Sequence, residues 1–83
     1  MYVSFTLSTT KKHEEAVMEM FRQNKKVFDI LGVLRTGVIT EVHFRPRWSF
    51  YMEKIDDIFK QEKMLGTEFS VRWGVDPLIA QKD

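Results

Sequence analysis

The stretch "VFDILGVLRTGVITEVHFRP", residues 27–46, distinguishes between the possible strand arrangements of this chain. Two runs rich in branched and aromatic side chains flank Thr36 and Gly37, and a glycine supplies the positive φ that a tight turn needs. The stretch follows Lys25 and Lys26, whose positive charges suit the negative end of a helix dipole. We therefore predict that a helix ends near these lysines and that the stretch itself forms a β-hairpin.

The same stretch permits two other interpretations. The apolar spacing of the preceding helix can continue to Leu31, with Gly32 as its stop, so that residues 33–45 form one long middle strand. A mixed arrangement keeps the helix to Leu31 but places a short strand before Gly37. In every case the last of these strands ends at Pro46, because a proline cannot donate a hydrogen bond to a sheet. The element order is β-α-β-β-α-β with the hairpin and β-α-β-α-β with the long strand.

The sequence on both sides of this stretch predicts the other elements. Residues 2–8 and 67–73 alternate apolar and polar side chains, which is typical of half-buried strands. Apolar residues recur at three- and four-residue steps between residue 11 and the hairpin and again over 49–65, which predicts two amphipathic helices. Short, right-handed connections would place both helices on one face of the sheet. The expected fold is thus a small α+β, ferredoxin-like sandwich.

Length and composition exclude several classes of protein. With 83 residues the chain has room for one domain, residues 1–83, in which residues 76–83 form a short C-terminal helix or tail. Without cysteine it lacks disulfides, thiol catalysis and thiolate metal sites. Its 13 Lys and Arg nearly balance its 12 Asp and Glu, whereas a strong polyanion binder carries a clear cationic excess. The chain shows neither a membrane-spanning apolar run nor a signal-peptide pattern, so we expect a cytoplasmic protein that does not bind membranes.

The two histidines give little support for catalysis. His13 lies in "HEEAV" without the second histidine of a zinc-protease helix, and the glycines form no phosphate-binding loop. His43 alternates with Glu41 and Arg45 on one strand, and a solvated strand face with a cross-strand ion pair explains this pattern more simply than an active site does. The pattern favours a protein that is not an enzyme and that has no metal or cofactor.

One alternative is a small-molecule enzyme or ligand binder. The predicted element order resembles that of dimeric α/β-barrel proteins and of many ferredoxin-like regulators, although a likeness of fold implies no function by itself. In a protein of the dimeric-barrel type, His43 and Glu41 would line a cleft between the helices and the sheet.

The corner "HFRPRW", residues 43–48, is the strongest candidate for a binding surface. It places cationic and aromatic side chains around a proline where a strand passes into a helix, and binding residues often lie on such rigidly framed loops. Arginine and large aromatic side chains are enriched at protein interfaces. We therefore predict a small non-enzymatic module that binds another protein, as a regulator or inhibitor does. The predicted partner-binding residues are Arg45, Arg47, Trp48, Phe50 and Tyr51.

A second alternative is binding to a nucleic-acid backbone. Arginines on neighbouring strands would form one basic patch, with Trp48 or Tyr2 as a plane on which bases stack. Glu41 and Glu68 on the same face would weaken that patch. The arginines of this predicted patch are Arg35, Arg45, Arg47 and Arg72.

Self-association is also expected, because so small a domain cannot bury all of its large apolar side chains. Two-fold dimers are the commonest soluble oligomers. We predict a homodimer, with an interface that contains Tyr2, Ile39, Leu78 and Ile79.

Overall fold

The chain folds into a four-stranded antiparallel sheet and two helices, an α+β arrangement. The computed structural model describes residues 4–48 and 51–73. The predicted order β-α-β-β-α-β is confirmed. The predictions for Tyr2, for Phe50 and for residues 76–83 lie outside the described residues. The elements are β1 (Phe5–Thr10), α1 (Lys11–Gln23), β2 (Phe28–Thr36), β3 (Ile39–Pro46), α2 (Met52–Met64) and β4 (Phe69–Trp73).

The stretch of residues 27–46 forms a hairpin. β2 pairs antiparallel with β3, from Phe28 opposite Pro46 to Thr36 opposite Ile39. Gly37 has a φ of 60°, the left-handed conformation that the turn was expected to need. The hairpin prediction is therefore confirmed, and the interpretations with a longer helix are wrong.

The early end of α1 has a local cause. Its C-cap is Asn24, whose side-chain Nδ2 donates to the carbonyl oxygen of Met20 at 2.8 Å. The backbone N–H of Val27 then donates to the carbonyl oxygen of Asn24 at 2.9 Å, which closes a turn. The branched residues that follow favour a strand, because a helix restricts their χ1 angles. The apolar spacing that continues to Leu31 thus spans two elements rather than one.

The sheet has the order β2-β3-β1-β4, so that β1 and β3 are central. Both helices lie on the face that carries Phe44 of β3. Its ring centroid is 5.2 Å from that of Phe21 in α1 and 5.9 Å from that of Phe59 in α2. Leu7 and Val42, which are partners across β1 and β3, are fully buried on the same face. The core therefore lies between this face and the two helices.

The two helices bury different amounts of their surface. α1 contributes three buried side chains to the core, and the described residues of α2 contribute one, Ile55. Neither helix in the described part of the chain is long and apolar enough to cross a membrane. The buried core residues are Leu7, Val17, Met20, Phe21, Val27, Phe28, Val42, Phe44 and Ile55.

α2 ends at a glycine in a positive-φ conformation. Gly66 has a φ of 92°. Its N–H donates to the carbonyl oxygen of Lys63 at 3.0 Å, and the N–H of Thr67 donates to that of Glu62 at 3.3 Å. These two bonds form the Schellman motif, which satisfies the last carbonyl groups of a helix.

The face of the sheet opposite the helices carries a buried polar pair. Thr6 of β1 lies directly opposite His43 of β3. Strand alternation predicts that both side chains share this face, but it also predicts that water covers them. Instead, Thr6 is 4% exposed and His43 is 0% exposed. The expectation of a solvated face is therefore corrected at these two positions.

Candidate functional site

Two segments that are distant in the sequence meet at one corner of the molecule. Because Phe28 pairs with Pro46, the turn between α1 and β2 lies beside the corner that follows β3. The backbone N–H of Arg47 donates to the carbonyl oxygen of Val27 at 2.8 Å. The side-chain Nη2 of Arg47 donates to the carbonyl oxygen of Lys25 at 3.3 Å. These bonds hold the corner against the turn.

The meeting of these segments creates an open depression of about 470 Å³ with cationic and aromatic walls. Three of its lining side chains are cationic, and none of the described residues that line it is acidic. Trp48 is 57% exposed, so its ring offers surface to a partner. We call this surface the cationic corner. It consists of Lys25, Lys26, Arg47, Trp48 and Tyr51.

Three of the predicted partner-binding residues lie together in the cationic corner, namely Arg47, Trp48 and Tyr51. Arg45 does not line it. Its Nε donates instead to Oδ2 of Asp29 at 3.1 Å, which joins β3 to β2. The predicted surface thus keeps one arginine and two aromatic side chains together, while its other arginine, Arg45, belongs to a cross-strand ion pair.

The amino-acid pattern alone does not assign Lys25 and Lys26 to this surface, because it indicates only that their charges suit the end of a helix. The signal that could have found them is the hairpin register. A strand that begins at Phe28 and pairs with one that ends at Pro46 brings the preceding turn next to the following corner.

The arginines of the predicted nucleic-acid patch are not brought together. Arg35 lies near the turn of the hairpin, opposite Thr40, whereas Arg47 lies beyond the other end of the hairpin. Arg72 of β4 places its Nη2 3.5 Å from Oε2 of Glu41. Arg45 and Arg72 thus each lie beside a carboxylate, and so does Arg35, which contacts Glu14. These carboxylates separate and offset the positive charges of the predicted patch.

Arg35 takes part in a contact between the sheet and the first turn of α1. The Thr40 hydroxyl donates to the carboxylate of Glu14, and the Arg35 Nε donates to the same carboxylate at 3.1 Å. The hydrogen bond from Thr40, followed by that from Arg35, holds the pKa of the Glu14 carboxyl below its usual range. The contact therefore favours the charged form of Glu14 and joins α1 to the hairpin.

The buried polar pair has the functional groups of a catalytic site but not its access. Thr6 Oγ1 lies 3.2 Å from His43 Nδ1, and His43 Nε2 lies 3.6 Å from Glu41 Oε1. A hydroxyl, an imidazole and a carboxylate are the components of many nucleophilic sites. Because His43 is fully buried, a substrate does not reach its ring. These residues also lie on the face opposite the helices, so a cleft between the helices and the sheet does not contain them.

Of the residues predicted for self-association, the structure describes Ile39. This side chain is 40% exposed and begins β3. It lines a depression of about 260 Å³ together with Glu68 and Phe69. Ile39 is thus available to an interface, and the other three residues lie outside the described parts of the chain.

Within residues 4–48 and 51–73, no three His, Asp or Glu side chains are grouped so that they could hold a metal ion. Comparisons of the chain with protein-family models, with curated proteins and with solved structures found no match. A functional proposal for this chain therefore rests on the geometry and charge of its surfaces.

Proposed function

We propose that this protein is a small non-enzymatic interaction module that binds an acidic segment of another protein at the cationic corner. The observation that supports it most directly is the convergence of Lys25, Lys26 and Arg47 around Trp48 and Tyr51. Arginine and aromatic side chains are enriched where proteins bind one another. We place the protein in the cytoplasm, because a chain without cysteine suits a reducing compartment.

Charge and rigidity both favour such a partner. Opposite charges accelerate association and exclude partners of the wrong charge. Arg47 is held by a backbone and a side-chain hydrogen bond, so it loses less conformational entropy on binding than a mobile side chain does. A guanidinium also presents a fork of donors that matches a carboxylate. The partner's segment is therefore expected to combine carboxylates with an apolar or aromatic side chain that contacts Trp48.

The test is the binding of a fluorescently labelled peptide rich in glutamate with one central tyrosine, measured by anisotropy at low ionic strength. We expect the wild-type protein to bind this peptide. Lys26→Glu and Arg47→Glu are each expected to weaken binding by about tenfold or more, which corresponds to about 1.4 kcal/mol. High salt should weaken binding as well, because exposed charges are screened.

Lys12→Glu is the matched control for these variants. It makes the same change of charge at an exposed position near the start of α1, outside the lining of the cationic corner. This variant should bind the peptide about as well as the wild type does. Equal losses in Lys12→Glu and Lys26→Glu would contradict a defined site. If an oligonucleotide binds more tightly than the peptide, the proposed partner is a nucleic-acid backbone and not a protein.

We further propose that the architecture is a ferredoxin-like sandwich. The strand order β2-β3-β1-β4 and the position of both helices on one face support this proposal. Folds of this kind carry many unrelated functions. The functional proposal therefore draws on the cationic corner and not on the fold.

A second copy of the chain is proposed as an additional partner. β2 is an edge strand, and an edge strand presents backbone groups that can pair with another chain. The hairpin also leaves apolar side chains exposed, and their burial would favour association. These side chains are Ile30 (41% exposed), Leu34 (36%), Val38 (68%) and Ile39 (40%).

A further inference from the structure

A groove lies between α2 and the sheet, on the side of β1 and β4. Its volume is about 340 Å³, and small-molecule sites typically have volumes of about 300–1,000 Å³. Ile55 and Phe59 of α2 line one side, and Phe5 of β1 and Val71 of β4 line the other. Ile55 is buried, but the other three side chains are only partly buried. This α2 groove therefore presents apolar surface that a ligand can cover.

Two lysines give the rim of the α2 groove a positive charge. Lys60 and Lys63 are exposed and line the groove, and Asp56 is the one acidic residue among the described residues that line it. The Nζ of Lys63 lies 5.1 Å from the centroid of the Phe69 ring, which holds the ammonium group near β4. The described residues of the groove thus combine apolar walls with a rim of net positive charge.

We infer that the α2 groove binds a small molecule with an apolar body and a single negative charge, such as a medium-chain fatty acid or an aromatic carboxylate. The apolar body displaces water from Phe5, Phe59 and Val71. The carboxylate stays at the rim, where Lys60 and Lys63 donate charge-assisted hydrogen bonds to it. The α2 groove and the cationic corner share no described lining residue, so this inference does not depend on the proposed protein partner.

Isothermal titration calorimetry of the full chain with octanoate tests this inference. The wild-type protein should bind octanoate more tightly than octanol, which lacks the charge, and more tightly than octylamine, which carries the opposite charge. Lys60→Glu and Lys63→Glu should each weaken octanoate binding by about tenfold, since each reverses one charge at the rim. Both lysines are exposed, so the variants should keep the fold, which circular dichroism verifies.

Two variants with the same change of charge serve as controls. Lys54→Glu lies on the same helix outside the groove lining, and Lys26→Glu lies in the cationic corner. Both should bind octanoate with wild-type affinity. In two-dimensional NMR spectra, octanoate should shift the amide signals of Phe5 and Val71.

Four outcomes would overturn the inference. One is that the wild-type protein does not bind octanoate, and another is that it binds octanol equally well. A third is that Lys26→Glu or Lys54→Glu weakens binding as much as the rim variants do. NMR shifts confined to the hairpin would place the ligand elsewhere. Loss of acidic-peptide binding alone would count only against the proposed protein partner.

Discussion

The helices α1 and α2 each contain 13 residues and cover the same face of the sheet, yet they are attached to it differently. α1 buries three side chains, whereas the described residues of α2 bury one, Ile55. The start of α1 is also joined to the hairpin, because the N–H of Lys11 donates to the carbonyl oxygen of Val38 at 2.9 Å. α1 is thus joined to the sheet by buried side chains and by a backbone hydrogen bond, whereas α2 is attached mainly through one stripe of side chains.

The looser attachment of α2 coincides with the candidate binding surfaces. Tyr51, the N-cap of α2, lines the cationic corner, and Phe59 lines the α2 groove. Met64 and Leu65 at the other end of the helix are 85% and 79% exposed. One helix therefore supplies most of the helical core, while the other leaves apolar and cationic side chains exposed to a ligand or partner.

The largest effect is expected from truncating an aromatic ring on each helix. Phe21→Ala should destabilise the protein by about 3–5 kcal/mol, as is typical of a buried phenylalanine. Phe59→Ala should cost less, because Phe59 is only partly buried. Denaturant unfolding of both variants measures the difference. A larger loss for Phe59→Ala would contradict the view that α1 is the more firmly attached helix.

A protein of 83 residues has a total stability of roughly 4–12 kcal/mol, so Phe21→Ala can prevent folding altogether. Phe21→Leu and Phe59→Leu then provide the same comparison with smaller losses. The loss of stability should again be larger for the α1 variant, Phe21→Leu, than for the α2 variant, Phe59→Leu.

Self-association should depend on the hairpin beside α1 and not on the end of α2. Burial of one large aliphatic side chain contributes about 1.5–3 kcal/mol. Ile39→Lys is therefore expected to raise the dissociation constant of a dimer by about tenfold to a hundredfold. Sedimentation velocity over a range of concentrations measures this change, with Leu65→Lys as the control on α2. A wild-type protein that stays monomeric at high concentration would refute the dimer, and a loss only in Leu65→Lys would move the interface to α2.

The ends of the two helices should respond differently to alanine. Gly66→Ala forces a side chain into a positive-φ conformation at the end of α2, which costs about 1–2 kcal/mol. Asn24→Ala removes the hydrogen bond to Met20 at the end of α1, which costs about 0.5–1.5 kcal/mol. Thermal unfolding monitored by circular dichroism compares them. A neutral Gly66→Ala variant would show that the Schellman motif is not needed to end α2.

The smallest effect is expected from Glu14, which joins α1 to the hairpin. Hydrogen bonds from Thr40 and Arg35 lower the pKa of the Glu14 carboxyl in the folded chain. The charged carboxylate therefore stabilises the fold at pH values above the pKa that Glu14 has in the unfolded chain. This contribution is lost as the pH falls through the lower folded pKa. Glu14→Gln should therefore flatten the loss of stability in acid, whereas Glu15→Gln, at an exposed position, should not. Melting temperatures from neutral to acid pH measure it, and identical profiles for Glu14→Gln and the wild type would contradict the assignment.

Part of the cationic corner could be predicted from the sequence. Arg47, Trp48 and Tyr51 are close neighbours along the chain, and a proline before them predicts a corner. Lys25 and Lys26 could be added only once the register of β2 and β3 was known. The α2 groove could not be predicted, because its volume depends on how far α2 lies from the sheet. Helical periodicity shows which side of a helix is apolar and not how closely that side packs.

Elements with local signals are predictable from the amino-acid pattern alone. The turn glycine at position 37, the alternation of β1 and the apolar spacing of α1 depend on residues within a few positions of one another. Contacts between distant segments bury His43 fully and bring the lysines after α1 to the corner after β3. Contacts of the same kind bring carboxylates beside Arg35, Arg45 and Arg72. Burial and charge pairing arise from contacts between residues far apart in the chain. A local sequence pattern does not show which of these distant residues come into contact.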